Sequence, residues 1–405
     1  MYSLVSAVVG VLKKIIPEPV VKLFRPIYHW ALALFFAVTY GFPARHMTVV
    51  GITGTKGKST TAEMMYAVLK AAGYSTALVS TIRFVTPQTD APNKFKMTMQ
   101  GRGFIQHLLA QARREGATHA VVEITSEGVR QFRHQYLALN GLIVTNIQRE
   151  HIESHGSMEK YVAAKRAIVA ELERSPKKNK ILVANADNEY TKLFLTLNHS
   201  HILKNIGISE GALGDFNGTN ARMAVAMAEA LGINHDVAER AIKEMPQVKG
   251  RVEPIDAGQP FTAIVDYAHT PDSLKALYAM FPGRKICVLG NTGGGRDTWK
   301  RPAMGAIADE QCDTVILTNE DPYDEDPRKI VDEMAAAMKR KPTIIMDRRA
   351  AIAAALKAAH PGDTVLISGK GTDPYIMEAG GKRTPWDDAT VAREELAKLG
   401  FNRGK

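Results

Sequence analysis

The chain has 405 residues, a hydrophobic fraction of 45%, and 52 Lys+Arg against 42 Asp+Glu, a formal net charge of +10. That length exceeds one small core and predicts two or three domains of an ordinary soluble globular protein. The positive charge points to acidic partners such as nucleotides, carboxylated substrates or anionic lipid, but no basic stripe with interleaved aromatics singles out nucleic acid, which is not an expected partner. Cys287 and Cys312, the only cysteines, support neither a disulfide framework nor a zinc knuckle, so a reducing cytoplasm is the expected location.

The first 46 residues stand apart as an apolar helical segment. An apolar run at 4–12 is followed by Lys13-Lys14, by prolines at 17, 19 and 26, and by a second apolar run at 27–42 carrying Tyr28, Trp30 and Tyr40 between Arg25 and Arg45. Neither run reaches the about 20 residues that span a bilayer. The second run reads either as an interfacial helix, giving peripheral contact with the inner face of a membrane, or as a helix docked on its own domain. A cleaved signal peptide is not expected, since no small-residue cleavage site precedes the next segment.

From residue 47 the pattern becomes α/β. Strands are predicted at 49–53, 75–80, 119–123, 141–146 and 180–184, with helices at 62–72, 104–115 and 158–174 between them and a helical pair at 219–231 and 236–245. Alternation of this kind gives a mainly parallel sheet flanked by helices. The pattern pauses at 246–250 and resumes with strands at 261–266, 285–289, 314–318, 343–346 and 364–368, a second, doubly wound Rossmann-like domain. The predicted boundaries are 1–46, 47–247 and 248–405. Ligands of such sheets lie beyond the carboxyl ends of the strands, so the polar residues there carry the functional reading.

After the first strand comes Gly51-Ile52-Thr53-Gly54-Thr55-Lys56-Gly57-Lys58-Ser59-Thr60-Thr61. Gly54 and Gly57 let backbone N–H groups turn inward around phosphate oxygens. Lys58 neutralises the terminal phosphates, and the Ser59 hydroxyl suits Mg²⁺ at a helix N-terminus. Ile52 stands where the strict P-loop pattern has its first glycine. Glu123 closes a later strand as a candidate magnesium ligand, and the next strand ends in 145–156 with His151 and His155 four apart. No Glu or Cys completes a zinc set, so zinc is not expected.

These segments, with Tyr161-Val162-Ala163-Ala164-Lys165, Phe216-Asn217-Gly218-Thr219-Asn220, Gly250-Arg251-Val252-Glu253, Asp266-Tyr267-Ala268-His269-Thr270-Pro271-Asp272, Gly293-Gly294-Gly295-Arg296-Asp297 and Gly369-Lys370-Gly371, follow one another in an order that resembles the Mur ligases. The muramyl-tripeptide synthetase (MurE-type) branch is the most similar. The resemblance runs from about residue 47 to the end and implies an ATP-dependent ligase of peptidoglycan stem-peptide synthesis.

It further implies that Gly54, Thr55, Lys56, Gly57, Lys58, Ser59 and Thr60 hold ATP phosphates and that Ser59 and Glu123 bind one Mg²⁺. His151 helps bind a second with a carbamylated Lys165, whose carbamate supplies ligand oxygens where an ammonium would repel the cation. Asn220 approaches adenine, and Arg251, Asp266 and His269 the ribose and phosphates. Arg296, Asp321, Tyr323, Lys370 and Asp373 fall to the substrate, a muramyl peptide, UDP-linked or lipid-linked, joined to an amino acid.

Three departures from the family pattern bear on that substrate. Only about 46 residues stand where a uridine-binding domain is expected. Tyr323 replaces an arginine of diaminopimelate-adding members, and Thr372-Asp373 replaces a His-Glu pair. Arg296 remains for the amino acid's α-carboxylate, and Asp321 and Asp373 for an ammonium, which favours a basic amino acid. Three alternatives stay open: a lipid-linked muramyl peptide amidating ligase, although its usual four-cysteine zinc ribbon is missing, a folylpolyglutamate-type ligase, and a nucleotide-binding scaffold without turnover.

Overall fold

A computed structural model describes residues 18–101, 103–148, 156–196, 204–209, 216–295 and 297–402. The chain divides into two compact units, Met1–Met245 and Pro246–Lys405.

The described part of the first unit opens with helix α1 (Glu18–Thr39), which begins nine residues before the apolar run at 27–42 and passes through Pro26. Proline removes one intrahelical hydrogen bond, so packing rather than propensity holds this helix. Its Phe36 and Ala37 are buried, and Tyr40 just beyond it meets the His107 ring at 5.4 Å between centroids. The run at 4–12 lies outside the described residues.

The sheet then builds from β1 (Thr48–Thr53), helix α2 (Lys58–Ala71), β2 (Thr76–Val79), the hairpin β3 (Arg83–Thr86) and β4 (Thr89–Pro92), α3 (Phe104–Arg114) and β5 (His119–Glu123). It continues with α4 (Ser126–Arg130), β6 (Gly141–Val144), α5 (Met158–Arg174), β7 (Ile181–Asn185), α6 (Glu189–Thr196), β8 (Lys204–Ile208), α7 (Phe216–Ala230) and α8 (His235–Glu244). Strand order is β4-β3-β2-β5-β1-β6-β7-β8, parallel except for the β2-β3-β4 edge.

Successive side chains of a strand point to opposite faces, so uninterrupted apolar strands feed two cores. Val49, Val122, Val144 and Leu182 pack with α3 and α5 on one face, while Val50, Ile52, Val121 and Ile143 pack with α2 and α7 on the other. β1 lies between β5 and β6, with Ile52 opposite Glu123 and Thr53 opposite Val144. That register brings the ends of three strands together around the loop after β1.

The second unit contains β9 (Glu253–Pro254), β10 (Thr262–Asp266), α9 (Pro271–Ala279), β11 (Lys285–Leu289), α10 (Lys300–Gln311), β12 (Thr314–Leu317), α11 (Pro327–Ala335), β13 (Thr343–Ile344), α12 (Arg348–Ala358) and β14 (Thr364–Ser368). A small ribbon, β15 (Tyr375–Met377) with β16 (Arg383–Pro385), and α13 (Asp388–Lys398) complete it. The sheet order β13-β12-β11-β14-β10-β9 is parallel apart from β9; the chain steps outward from β11 to β13 and then turns back to insert β14 between β11 and β10. Such a switch point opens a crevice at the strand ends.

The cysteine expectation is corrected here, because Cys287 and Cys312 form a disulfide across a Cα separation of 6.2 Å. Cys287 lies in β11 and faces α10, and Cys312 caps the end of that helix, so strand alternation places both in one core that spacing alone did not connect.

Candidate active site

The loop between β1 and α2 is held in a conformation open only to glycine at two places. Gly54 has φ of +147° and a Cβ there would lie 1.9 Å from Thr145 Oγ1; Gly57 has φ of +78° and a Cβ would lie 2.7 Å from Asn220 Oδ1. Both glycines therefore serve close approach as well as dihedral freedom. The end of β6 fixes one side of the loop. Thr55 N donates to Asn146 O at 2.8 Å, Lys56 N to Asn146 Oδ1 at 2.9 Å, and Thr145 Oγ1 to Lys56 O at 2.6 Å. The loop then enters α2, whose opening amides have no carbonyl one turn earlier to receive them and form an anion-binding end.

Four of the sequence-selected side chains meet here. Lys58 Nζ folds back to donate to Thr55 O at 2.7 Å. Ser59 Oγ donates to Glu123 Oε1 at 2.9 Å, and Glu123, fully buried at the end of β5, also accepts from the Thr81 amide. Lys165 reaches up from α5, its Nζ donating to Gly54 O at 2.9 Å and Thr53 Oγ1 at 3.1 Å. One helical turn earlier, Tyr161 places its hydroxyl 2.9 Å from Thr55 Oγ1. Thr60 is buried in the first turn of α2, and Asn220 reaches the loop from α7. His151 lies outside the described residues.

The cradle fits a polyphosphate: a Cβ would fill the close approaches at both glycines, and a helix end and an ammonium adjoin them. The contact of a hydroxyl with a buried carboxylate is a donor set suited to a hard divalent cation. Among the described residues no cluster of three His, Cys, Asp or Glu side chains is placed to hold a metal ion by itself.

In the second unit Asp266 ends β10 and accepts from the amides of Val252 and Ala268, each at 2.7 Å. Burial raises its carboxyl pKa, and the charge of Arg251 opposes that. The Arg251 guanidinium lies 4.4 Å from the centroid of the Tyr267 ring, which the His269 ring meets at 4.6 Å. His269 Nδ1 is 2.8 Å from Tyr267 O, the geometry of an N–H donor to a carbonyl. The Tyr267 hydroxyl is pushed well up, first by Asp373 and then by burial.

Beside the switch point, the fully buried Lys370 Nζ lies 2.9 Å from Asp321 Oδ1 and 3.8 Å from Asp373 Oδ2. The two carboxylates expected to receive a substrate ammonium thus already share one from the chain. Glu320, unselected in the sequence, accepts from Thr292 Oγ1 at 2.9 Å, and burial raises its pKa against the pull of Lys370. Glu320 lies three residues past the end of β12 and next to the selected Asp321, which is the signal that could have found it. Tyr323 has φ of +52°, and its amide donates to Met377 O at 3.0 Å. Arg296 lies outside the described residues; the buried Arg301 bridges Glu325 at 2.9 Å and Glu333 at 2.8 Å.

This arrangement of a phosphate loop on one parallel sheet and a polar switch point on another agrees with what is found in known proteins. Residues 52–227 match the Mur ligase middle domain and residues 250–371 the Mur ligase glutamate ligase domain. A UDP-N-acetylmuramyl-tripeptide synthetase from Roseiflexus sp. (strain RS-1) is 34% identical over 437 aligned positions, covering 95% of this chain and 85% of that protein. The structure of a UDP-N-acetylmuramoyl-L-alanyl-D-glutamate--2,6-diaminopimelate ligase superposes with a TM-score of 0.59 at 26% identity, covering 87% of this chain and 79% of the other. Mycobacterium tuberculosis folylpolyglutamate synthase complexed with ADP, at 16% identity, shares the fold with a TM-score of 0.67 over 92% and 94% of the two chains. The chain belongs to the Mur ligase family. It is an ATP-dependent, ADP-forming ligase of the type that works in peptidoglycan synthesis.

Proposed function

We propose that the enzyme adds an amino acid to the carboxylate of a muramyl peptide by way of an acyl phosphate. A carboxylate oxygen of the peptide attacks the γ-phosphorus of ATP and ADP leaves; the amine of the incoming amino acid then attacks the acyl carbon, phosphate leaves, and the amine loses a proton. The observation that carries this reading is the convergence of Lys58, Ser59, Glu123 and Lys165 on one glycine-turned loop. Phosphoryl transfer spreads negative charge over equatorial oxygens, so positioning and charge neutralisation are what the protein contributes.

In this reading the amides opening α2 and Lys58 bind the β and γ phosphates, and Ser59 with Glu123 holds Mg²⁺, which supplies further neutralisation of phosphate charge. Asn220 borders the loop toward the base, and Arg251, Asp266 and His269 take the ribose and phosphates. His151 and a carbamylated Lys165 would serve a second Mg²⁺; forming the carbamate takes up CO₂, releases two protons from the ammonium and leaves Lys165 one N–H for the two donations it makes to Gly54 and Thr53.

Two carboxylates and one ammonium at Asp321, Asp373 and Lys370 leave a net negative charge, which supports a basic amino acid such as lysine or diaminopimelate. The acceptor is UDP-linked or lipid-linked, and use of ATP places the reaction in the cytoplasm. The test is ADP release by the full chain with UDP-linked and lipid-linked muramyl dipeptide over a panel of amino acids. Release that needs both peptide and amino acid is expected; release independent of either would overturn the reading.

A further inference from the structure

Helix α1 packs on the first unit by one face only. Phe36 is buried against Gly103, where a Cβ would lie 2.1 Å from its ring. On the opposite face Phe24, Ile27, Ala31, Phe35 and Val38 recur at helical spacing and are all exposed, the four larger ones by more than half. The stripe is about 21 Å long at 1.5 Å per residue. Trp30 and Tyr28, amphipathic rings of the kind that settle at a bilayer boundary, are also exposed on this helix. Among the described residues no helix is long and apolar enough to cross a membrane.

Trp30 also walls a cavity of about 310 Å³ with Phe42, Arg45, Tyr136, Glu171 and Arg174. The Arg45 guanidinium lies 4.1 Å from the centroid of the Phe42 ring, and Arg174, 64% exposed, is 3.7 Å from Glu171. Glu171 in turn accepts from the Tyr136 amide at 3.0 Å, and the buried Oε1 of Gln135, on the same wall, has no hydrogen-bond partner. Lys177 Nζ donates to the carbonyls of Arg45 at 2.7 Å and Met47 at 2.8 Å, tying the segment 174–180 to the turn that follows α1. That segment has four cations and no acid, and Arg45, His46, Arg174 and Lys178 are all exposed.

We propose that the outer face of α1 and this basic, aromatic cavity form one seat for an anionic phospholipid surface. The stripe enters the boundary between headgroups and acyl chains with the helix in the membrane plane, and Arg45 and Arg174 take headgroup phosphates. Charge selects this occupant over an apolar protein face: the cations gather at the end of α1, where a partner helix would need carboxylates to match them. The seat stands on the geometry of the first unit and is independent of which amino acid is ligated.

Co-flotation of the full chain with vesicles of phosphatidylcholine containing about 30% phosphatidylglycerol tests it, against pure phosphatidylcholine. Binding to the anionic vesicles only, weakened as salt is raised toward about 0.5 M, is expected. Arg45→Gln with Arg174→Gln should lower partitioning about 25-fold, from about fivefold per cation near a charged surface. Ile27→Asp with Phe35→Asp, both at exposed positions, should lower it at least about 100-fold with the circular dichroism spectrum unchanged. Equal binding to neutral and anionic vesicles, no binding by the full chain, or undiminished binding by both variants would overturn the proposal. So would a solution dimer that Ile27→Asp with Phe35→Asp converts to monomer in a chain that ignores vesicles, since the stripe would then be a protein interface.

Discussion

The two units set the lysines of their candidate sites, half-buried Lys58 and buried Lys165 and Lys370, against different acceptors. In the first, Lys58 and Lys165 donate to backbone carbonyls of the loop, at 2.7 Å and 2.9 Å. In the second, Lys370 faces the carboxylates of Asp321 and Asp373, and Arg348 is wholly buried against Asp388 at 2.6 Å. A hydrogen bond from an ammonium to a carbonyl contributes about 1.5–3 kcal/mol net, and exchanging the carbonyl for a phosphate oxygen keeps it charge-assisted. Breaking a buried ion pair by removing one partner costs about 3–5 kcal/mol, because the other charge is stranded. These contacts set different expectations for the two units: a lysine that leaves a loop carbonyl for a ligand oxygen keeps a partner, whereas one removed from beside Asp321 strands a charge.

Removing Lys58 is the strongest way to break that comparison. Lys58→Ala should lower ADP formation by about 10³-fold, the scale of a lost transition-state charge contact, while the urea midpoint stays put. A large loss of stability with activity retained would reverse the roles assigned to the two units. Lys370→Met is the complementary test and should destabilise by about 3–5 kcal/mol in urea unfolding, with part regained when Asp321→Leu is added. A cost under about 1 kcal/mol would mean that the Asp321 pair is solvated in practice.

The loop glycines sharpen the comparison within the first unit. Gly54→Ala should cost more than Gly57→Ala, about 3 against about 1 kcal/mol, because the first must displace Thr145 at the strand end, whereas the second meets only the Asn220 side-chain tip. Both should weaken ATP binding, measured by nucleotide fluorescence. Equal costs would locate the strain in the dihedrals alone.

The parts of this molecule visible in its sequence are those encoded locally. The loop motif, the uninterrupted apolar strands and helix α5, whose span of Met158–Arg174 coincides with the expected 158–174, all depend on neighbours in sequence. What escaped depends on tertiary contact. β8 (Lys204–Ile208) is an edge strand, largely exposed, and lacks an apolar run. The β3–β4 hairpin hides because its second strand, Thr89–Pro92, is polar and exposed. Pairing of the buried Lys370 with Asp321 and bonding of Cys287 to Cys312 join residues that no spacing rule connects. Lys165 was legible as a residue of the loop's neighbourhood, but its donation to Gly54 O was not.

The carboxyls in the second unit give a smaller, pH-dependent test. Burial raises the pKa of Asp266 above 3.8 and that of Glu320 above 4.5. Between the unfolded and the raised folded value the folded state binds more protons than the unfolded state, so stability falls as pH rises through that window and is greatest below it. Glu320→Gln should flatten its share of this slope in urea titrations repeated across pH. An unchanged slope would assign the dependence to Asp266.

The smallest expected effect comes from the start of α9, and it isolates what local capping contributes beside the ion pairs. Thr270 caps the helix by accepting from the Ser273 amide at 3.3 Å, while Ser273 Oγ accepts from the Thr270 amide at 3.0 Å, and Pro271 occupies the first helical position. Two amides that the helix cannot satisfy by itself are thus served reciprocally. Thr270→Ala should cost about 1 kcal/mol, and Thr270→Ser almost nothing, because only the hydroxyl is used. Thr270 also follows His269 directly, so a loosened cap would tilt the segment proposed to read the nucleotide. If Thr270→Ala raises KM for ATP while Thr270→Ser does not, the cap positions that segment; if both leave KM unchanged, α9 supports the core through Leu274, Leu277 and Tyr278 alone.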